Sequence, residues 1–141
     1  MSKVTIAEIQ DILDAELPLA NLLGCTFEEI GEGYCTVRMA FKPDLIRPGG
    51  TIAGPATMAL ADLALYGVVL SLVGRVELAV TTSLTVNFLR KPGQEDMIAK
   101  GSILKRGKRL VVAEVELYSA GDRESMVAHV TGTYSVPPEA G

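Results

Sequence analysis

The sequence predicts an α+β domain in which one antiparallel sheet wraps around a long central helix. Three observations carry that expectation. Residues 52–74 form an apolar run interrupted by a single charge, Asp62, which is long for a strand and reads as a helix enclosed on most sides. After it come four segments with strand character, at residues 78–90, 97–104, 110–119 and 125–136. Alternation is clearest in the first (Leu78, Val80, Thr82, Leu84, Val86, Phe88) and the third (Val111, Ala113, Val115, Leu117), the pattern of a sheet with one core face. Short turns at Lys91-Pro92-Gly93, Arg106-Gly107-Lys108 and Gly121-Asp122 join them, so neighbours run antiparallel.

The elements ahead of the long helix fit the same plan. Ile6, Ile9, Ile12, Leu13 and Leu17 recur at helical spacing, and Thr5 with Glu8 three residues on forms a capping-box pattern. Pro18 and Gly24 close this segment, giving an N-terminal helical region within residues 1–20. Residues 26–30 and 34–41 read as two strands joined at Gly31–Gly33. A loop with Pro43, Pro48, Gly49 and Gly50 follows. The central helix, residues 54–74, opens at Gly54-Pro55, where proline's missing N–H costs nothing. The 141 residues make one domain with a real core, and residues 137–141 are expected to fray. The sheet's outer face and edges still need covering, so a homodimer that extends the sheet, or a homotetramer built from two, is expected.

Composition excludes several classes of function. The chain is 48% hydrophobic and 21% charged, which is globular rather than disordered. Its net charge of −4 lacks the basic face that general nucleic-acid binding needs. A membrane span over residues 52–74 would place Asp62 in lipid at a cost of ~3 kcal/mol, so no membrane association is expected. Glu8, Asp11 and Asp14 do not fit a signal peptide's apolar stretch. Two cysteines and one histidine, His129, cannot build the usual four-ligand zinc site, and nothing else calls for a metal or cofactor. A hairpin centred on Glu32 places Cys35 opposite Glu29, away from Cys25. That argues against a disulfide and for a reduced, cytoplasmic protein.

The functional reading turns on Asp62. An unpaired carboxylate out of water costs several kcal/mol or shifts its pKa. Asp62 therefore either hydrogen-bonds a loop and fixes packing, or it does chemistry. Gly54 is its natural counterpart, because a helix N-terminus offers free backbone N–H groups and partial positive charge to a developing oxyanion. The two lie eight residues apart, ~12 Å along the axis. One substrate carbonyl cannot touch both in one subunit, so a joint site requires two protomers.

The order of elements and the segment TIAGPATMALADLALYG, residues 51–67, resemble the hotdog-fold acyl-CoA thioesterases, in particular the phenylacetate-degradation group. The similarity extends over VNFLRKPGQEDMIAKGSILKRGKRL, residues 86–110, and covers roughly residues 20–136. It implies a hotdog fold and hydrolysis of an acyl-CoA to free acid and coenzyme A. Gly54 would supply the oxyanion N–H, and Asp62 would be base or nucleophile. The chain departs from the group's pattern in carrying Ala53 where the group has histidine and Arg47 where asparagine or glutamine is common. Pro55 removes one further N–H. A hotdog module that binds acyl-CoA without hydrolysing it is the alternative. A hotdog dehydratase needs a histidine near the helix, and His129 lies late in the chain, on the expected outer face of the sheet.

The remaining candidates concern substrate binding. Tyr66, one turn after Asp62 on the same face, is placed to orient water, bond the carboxylate or pack at an interface. Arg47 is a candidate for a coenzyme A phosphate or for pairing with Asp62 across a dimer. Seven of the thirteen basic residues fall between positions 90 and 109. Among them Arg90, Arg106 and Arg109 carry the guanidinium fork that suits phosphates.

Overall fold

A helix of twenty residues, α3 (Gly54–Val73), forms the centre of the protein, and fourteen of its residues are buried. Its length and mean hydropathy of 1.9 would suffice to cross a membrane, but most of its surface is packed against the rest of the chain. The computed structural model describes residues 1–138. Of the tail expected to fray, residues 139–141 lie outside the described residues.

Six antiparallel strands wrap this helix: β1 (Cys25–Gly31), β2 (Tyr34–Met39), β3 (Val80–Phe88), β4 (Met97–Arg106), β5 (Leu110–Ser119) and β6 (Asp122–Ser135). Their spatial order is β1-β2-β4-β5-β6-β3, so β3 pairs with β6 and lies at an edge. This is the hotdog arrangement. Two short helices, α1 (Ile6–Glu16) and α2 (Pro18–Leu22), precede the sheet. Thr5 caps α1 through the expected box: its hydroxyl accepts from the Glu8 N–H, and the Glu8 carboxylate accepts from the Thr5 N–H, each at 3.1 Å. The sequence did not announce α2, since Pro18 reads as a stop. Proline at the head of a new helix has no N–H to lose, and the chain restarts there.

The helix lies directly on the sheet. A Cβ placed on Gly67 would come within 2.4 Å of the Phe27 ring and 3.0 Å of the Cys35 sulfur, so only glycine permits this approach. The Cys35 thiol donates to the Ala64 carbonyl at 3.1 Å, and burial pushes its pKa up to about 12. Both cysteines are free and buried.

Two registers differ from the sequence expectation. The β1–β2 turn has two residues, with Gly33 at φ 78°, so Gly31 faces Tyr34 and Cys35 pairs with Ile30 rather than Glu29. Gly33 closes the turn one residue earlier than expected by taking the left-handed backbone that glycine adopts without strain. In β3, a bulge between Thr81 and Ser83 breaks the alternation that the sequence showed from Leu78 to Phe88. Thr81 thereby pairs with Tyr134, and Leu84 with Gly132. Bulges re-aim side chains in this way beside functional sites.

Candidate active site

Asp62 leaves the middle of α3 toward the β6–β3 edge. Its Oδ1 accepts two hydrogen bonds, from the Thr81 hydroxyl at 2.6 Å and from the Tyr134 hydroxyl at 2.8 Å. The Tyr134 hydroxyl also lies 3.1 Å from the Asp62 carbonyl oxygen. The carboxylate is half-buried rather than enclosed, on the wall of a cavity of about 520 Å³. Burial, and then the charge of Asp62, hold the Tyr134 phenol proton well above the usual tyrosine range. Tyr134 is therefore a hydrogen-bond donor at any ordinary pH. Asp62 thus has one oxygen fixed by two hydroxyls, while its Oδ2 has no donor among the described residues.

Tyr66 lines the same cavity, but its hydroxyl donates to the Glu77 carbonyl at 3.1 Å and not to Asp62. Burial, followed by the nearby charges of Glu77 and Glu16, pushes its pKa up to about 12. The Tyr66 and Tyr134 rings lie 6.2 Å apart between centroids, within the range of favourable aromatic contact. The role considered for Tyr66 at the carboxylate belongs to Tyr134. That residue shares the inner face of β6 with Ala128 and Val130, and a hydroxyl among inward-facing apolar side chains is the signal for it. Thr81 left no such trace, because the bulge that turns it inward is invisible in the alternation.

Gly54 opens α3 at the other end. Ala53, at the N-cap, has no side-chain hydrogen bond to the helix. The N–H groups of Ala56 and Thr57 both turn back to the Ala53 carbonyl, at 3.1 and 3.3 Å, and Pro55 has none. The Gly54 N–H is left without an acceptor among the described residues. It borders a second cavity, of about 390 Å³, whose wall includes Arg47, Thr51, Phe88, Arg90 and Lys91. Gln94 donates to the Gly50 carbonyl at 2.8 Å, which ties the loop bearing Arg90 to the loop bearing Arg47. Asp96 anchors the far end of the first loop, accepting from the Phe41 N–H at 2.7 Å and pairing with Arg38 at 3.0 Å. The Phe41 N–H, then Arg38, hold the Asp96 carboxyl below the usual range.

The structure therefore groups the candidates in two sets, Asp62 with Tyr66 and Gly54 with Arg47 and Arg90. Arg106 and Arg109 join neither. They are exposed on the β4–β5 hairpin, where the Arg109 carbonyl accepts from Val136 at 2.7 Å and Leu110 faces Ser135. Gly54 approaches Phe88, which pairs with Ala128, so hairpin and Gly54 are separated by ~23 Å along β6. His129 sits on the outer face, 3.0 Å from Glu114.

Comparison with known proteins defines the class to which this fold and site belong. The sequence model of the Thioesterase superfamily matches residues 49–126, and the chain belongs to that superfamily of thioester hydrolases. The match begins just before Gly54 and runs past Asp62. Among solved structures, a protein of Silicibacter sp. titled a "putative thioesterase" is 35% identical, with 98% of this chain and 95% of that one covered at a TM-score of 0.87. The phenylacetic acid degradation protein of Thermus thermophilus, in a mutant form, is 26% identical over 85% of this chain and 99% of its own, with a TM-score of 0.76. A "putative esterase" of Saccharolobus solfataricus is 28% identical over 94% of this chain and 86% of its own. These similarities agree with the group indicated by residues 51–67.

Proposed function

We propose that the protein is an acyl-CoA thioesterase that works as a homodimer, each site taking the Gly54 N–H from one protomer and the Asp62 carboxylate from its partner. The observation that carries this is the position of the two cavities at opposite ends of the edge strand. Residues 78–81 border the Asp62 cavity and residues 88–92 the Gly54 cavity. Pairing β3 antiparallel with a second β3 about a two-fold axis near Leu84 sets Val80 against the partner's start-to-end counterpart, and the two kinds of cavity merge into one cleft. The edge is suited to being covered: Leu78, Val80, Phe88 and Leu89 are 78, 55, 57 and 56% exposed. An unprotected apolar edge strand is a template for pairing.

In the merged cleft the thioester carbonyl oxygen points at Gly54 and the Oδ2 of Asp62 faces a water. The water loses its proton to the carboxylate as it attacks, and the tetrahedral oxyanion is held by the Gly54 N–H. Collapse breaks the carbon–sulfur bond, and the proton taken up by Asp62 passes to the departing thiolate of coenzyme A. Thr81 and Tyr134 keep the carboxylate oriented throughout. Arg47 and Arg90 supply cations for the phosphates of coenzyme A. The partner's basic hairpin then stands three strand spacings from Phe88, ~14 Å away, close enough for Arg106 and Arg109 to meet the nucleotide end.

Subunit complementation tests the shared site. Gly54→Pro removes the N–H and sets a Cβ 3.3 Å from the tip of the Phe88 ring, an exposed side chain that can give way, while Ala53 already has the extended φ −63°, ψ 140° that a following proline requires. Protomers carrying Asp62→Asn and protomers carrying Gly54→Pro are each expected to be inactive. Mixed dimers place both lesions in one site and leave the other intact, so randomly mixed subunits recover about a quarter of wild-type turnover. No recovery in verified mixed dimers would place both groups in one protomer's site.

A further inference from the structure

The wall of the larger cavity carries charge of one sign only. Asp62, Glu16 and Glu77 line it, and no lysine or arginine does. Glu77 is engaged by Arg75 at 3.1 Å. Glu16, the last residue of α1, has no cationic partner among the described residues. Both glutamates act on the same place, since their charges help to hold the proton on Tyr66 inside the cavity. The rest of the lining is mainly aliphatic, with Leu17, Ala20 and Leu23 from the N-terminal helical region facing Leu63 of α3. The smaller cavity has the opposite polarity, with Arg47, Arg90 and Lys91 and no carboxylate.

Building on the acyl-CoA reading above, we infer that the larger cavity is an acyl chamber selective for uncharged acyl groups, and that Glu16 is a residue that turns away acyl groups ending in a carboxylate. A terminal carboxylate entering this chamber would leave water for an aliphatic wall, which is costly without a partner. It would meet two groups of its own sign that have no cationic partner among the described residues, Asp62 and the solvent-exposed Glu16, and like charges repel. Nothing on the wall offers the guanidinium or ammonium that would compensate. An alkyl chain meets none of these penalties. At roughly 30 Å³ for each water-sized group, the chamber of about 520 Å³ has room for a chain of up to about seventeen carbons. The two polarities also fix the direction of the substrate, with phosphates toward Arg47 and Arg90 and the apolar tail toward α1 and α2.

Binding of two hydrolysis-resistant thioethers tests this independently of catalysis. S-hexyl-CoA and S-(5-carboxypentyl)-CoA differ only in the terminal carboxylate, and their affinities can be measured by calorimetry on wild type and Glu16→Lys. Lysine at the end of α1 favours the helix dipole, so that variant folds. The carboxylate-tipped analogue is expected to bind wild type about tenfold or more weakly, the scale of one like charge about 12 Å away at an effective dielectric near 20. Glu16→Lys should shrink that gap several-fold. Equal affinities in wild type, a gap unchanged in Glu16→Lys, or failure of both analogues to bind would overturn the inference. Hydrolysis of hexanoyl-CoA is read separately: a persisting binding gap without turnover upholds the selectivity and removes the thioesterase reading.

Discussion

The two ends of the central helix are built on different principles. At its N-terminus the group on offer is backbone: the Gly54 N–H, free because the first N–H of a helix has no carbonyl one turn back to bond. Loops surround it, and the charges beside it are basic. Two turns further on, the functional group is a side chain, oriented by hydroxyls from two strands and walled by acids and aliphatic residues. A reaction needs both, one to stabilise negative charge and one to accept a proton, and a rigid helix keeps them apart. The difference gives the open sheet edge a use in the proposed dimer: a second copy, running the other way, would bring unlike ends together.

The largest effect expected from breaking one end is that of Asp62→Asn. Asparagine keeps an oxygen for Thr81 and Tyr134, so the melting temperature should hold or rise while kcat falls by ~10²–10⁴. A destabilised variant with wild-type turnover per folded protomer would make Asp62 structural. Gly54→Pro breaks the other end, with kcat expected to drop ~10²–10³ as an oxyanion donor is lost and KM to change little. If turnover persists, the oxyanion is bound elsewhere.

Tyr134→Phe sharpens the contrast, because it leaves the carboxylate and removes one of the groups that aim it. Turnover should fall about tenfold, and stability by ~1 kcal/mol for a lost hydrogen bond. Since Tyr134 donates to the Asp62 carboxylate, the loss should appear in kcat with KM little changed. An unchanged kcat would reduce Tyr134 to packing. The mildest effect belongs to charge reversal at Arg106 and Arg109, which should raise KM for acyl-CoA several-fold and weaken its salt dependence while leaving kcat alone. Unchanged KM would confine phosphate recognition to Arg47 and Arg90.

Much of this was legible in the chain because the signals were long or costly. Nineteen or twenty apolar residues with a proline near the start can hardly be anything but an enclosed helix, and a lone carboxylate within it stands out by its energetic cost. The strands were legible through period two, and the β4–β5 and β5–β6 turns through glycine, but Lys91-Pro92-Gly93 does not join sheet neighbours, since β3 pairs with β6 and β4 lies between β2 and β5. What escaped was decided by pairing between distant segments. The bulge at Thr81 exists because β3 must match β6, and no local pattern records that match. Tyr134 meets Asp62 across 72 positions of sequence. The Cys35 register depended on one residue in a turn. The two arginines of the hairpin looked like members of one basic cluster with Arg90, but consecutive antiparallel strands carried them to the opposite end of the sheet.

The strand order has a consequence for how the protein is made. β3 precedes β6 in the chain by some forty residues, yet β6 is its one partner within the protomer. During synthesis the segment that borders both cavities therefore emerges early and waits, apolar and unpaired, until the final strand has cleared the ribosome. Such delayed long-range pairing slows folding and exposes sticky surface to neighbouring nascent chains. In the proposed dimer it would also impose an order of events: the edge offered to a second copy is set only once β6 has joined β3, so assembly, and turnover at a shared site, would follow the folding of each protomer.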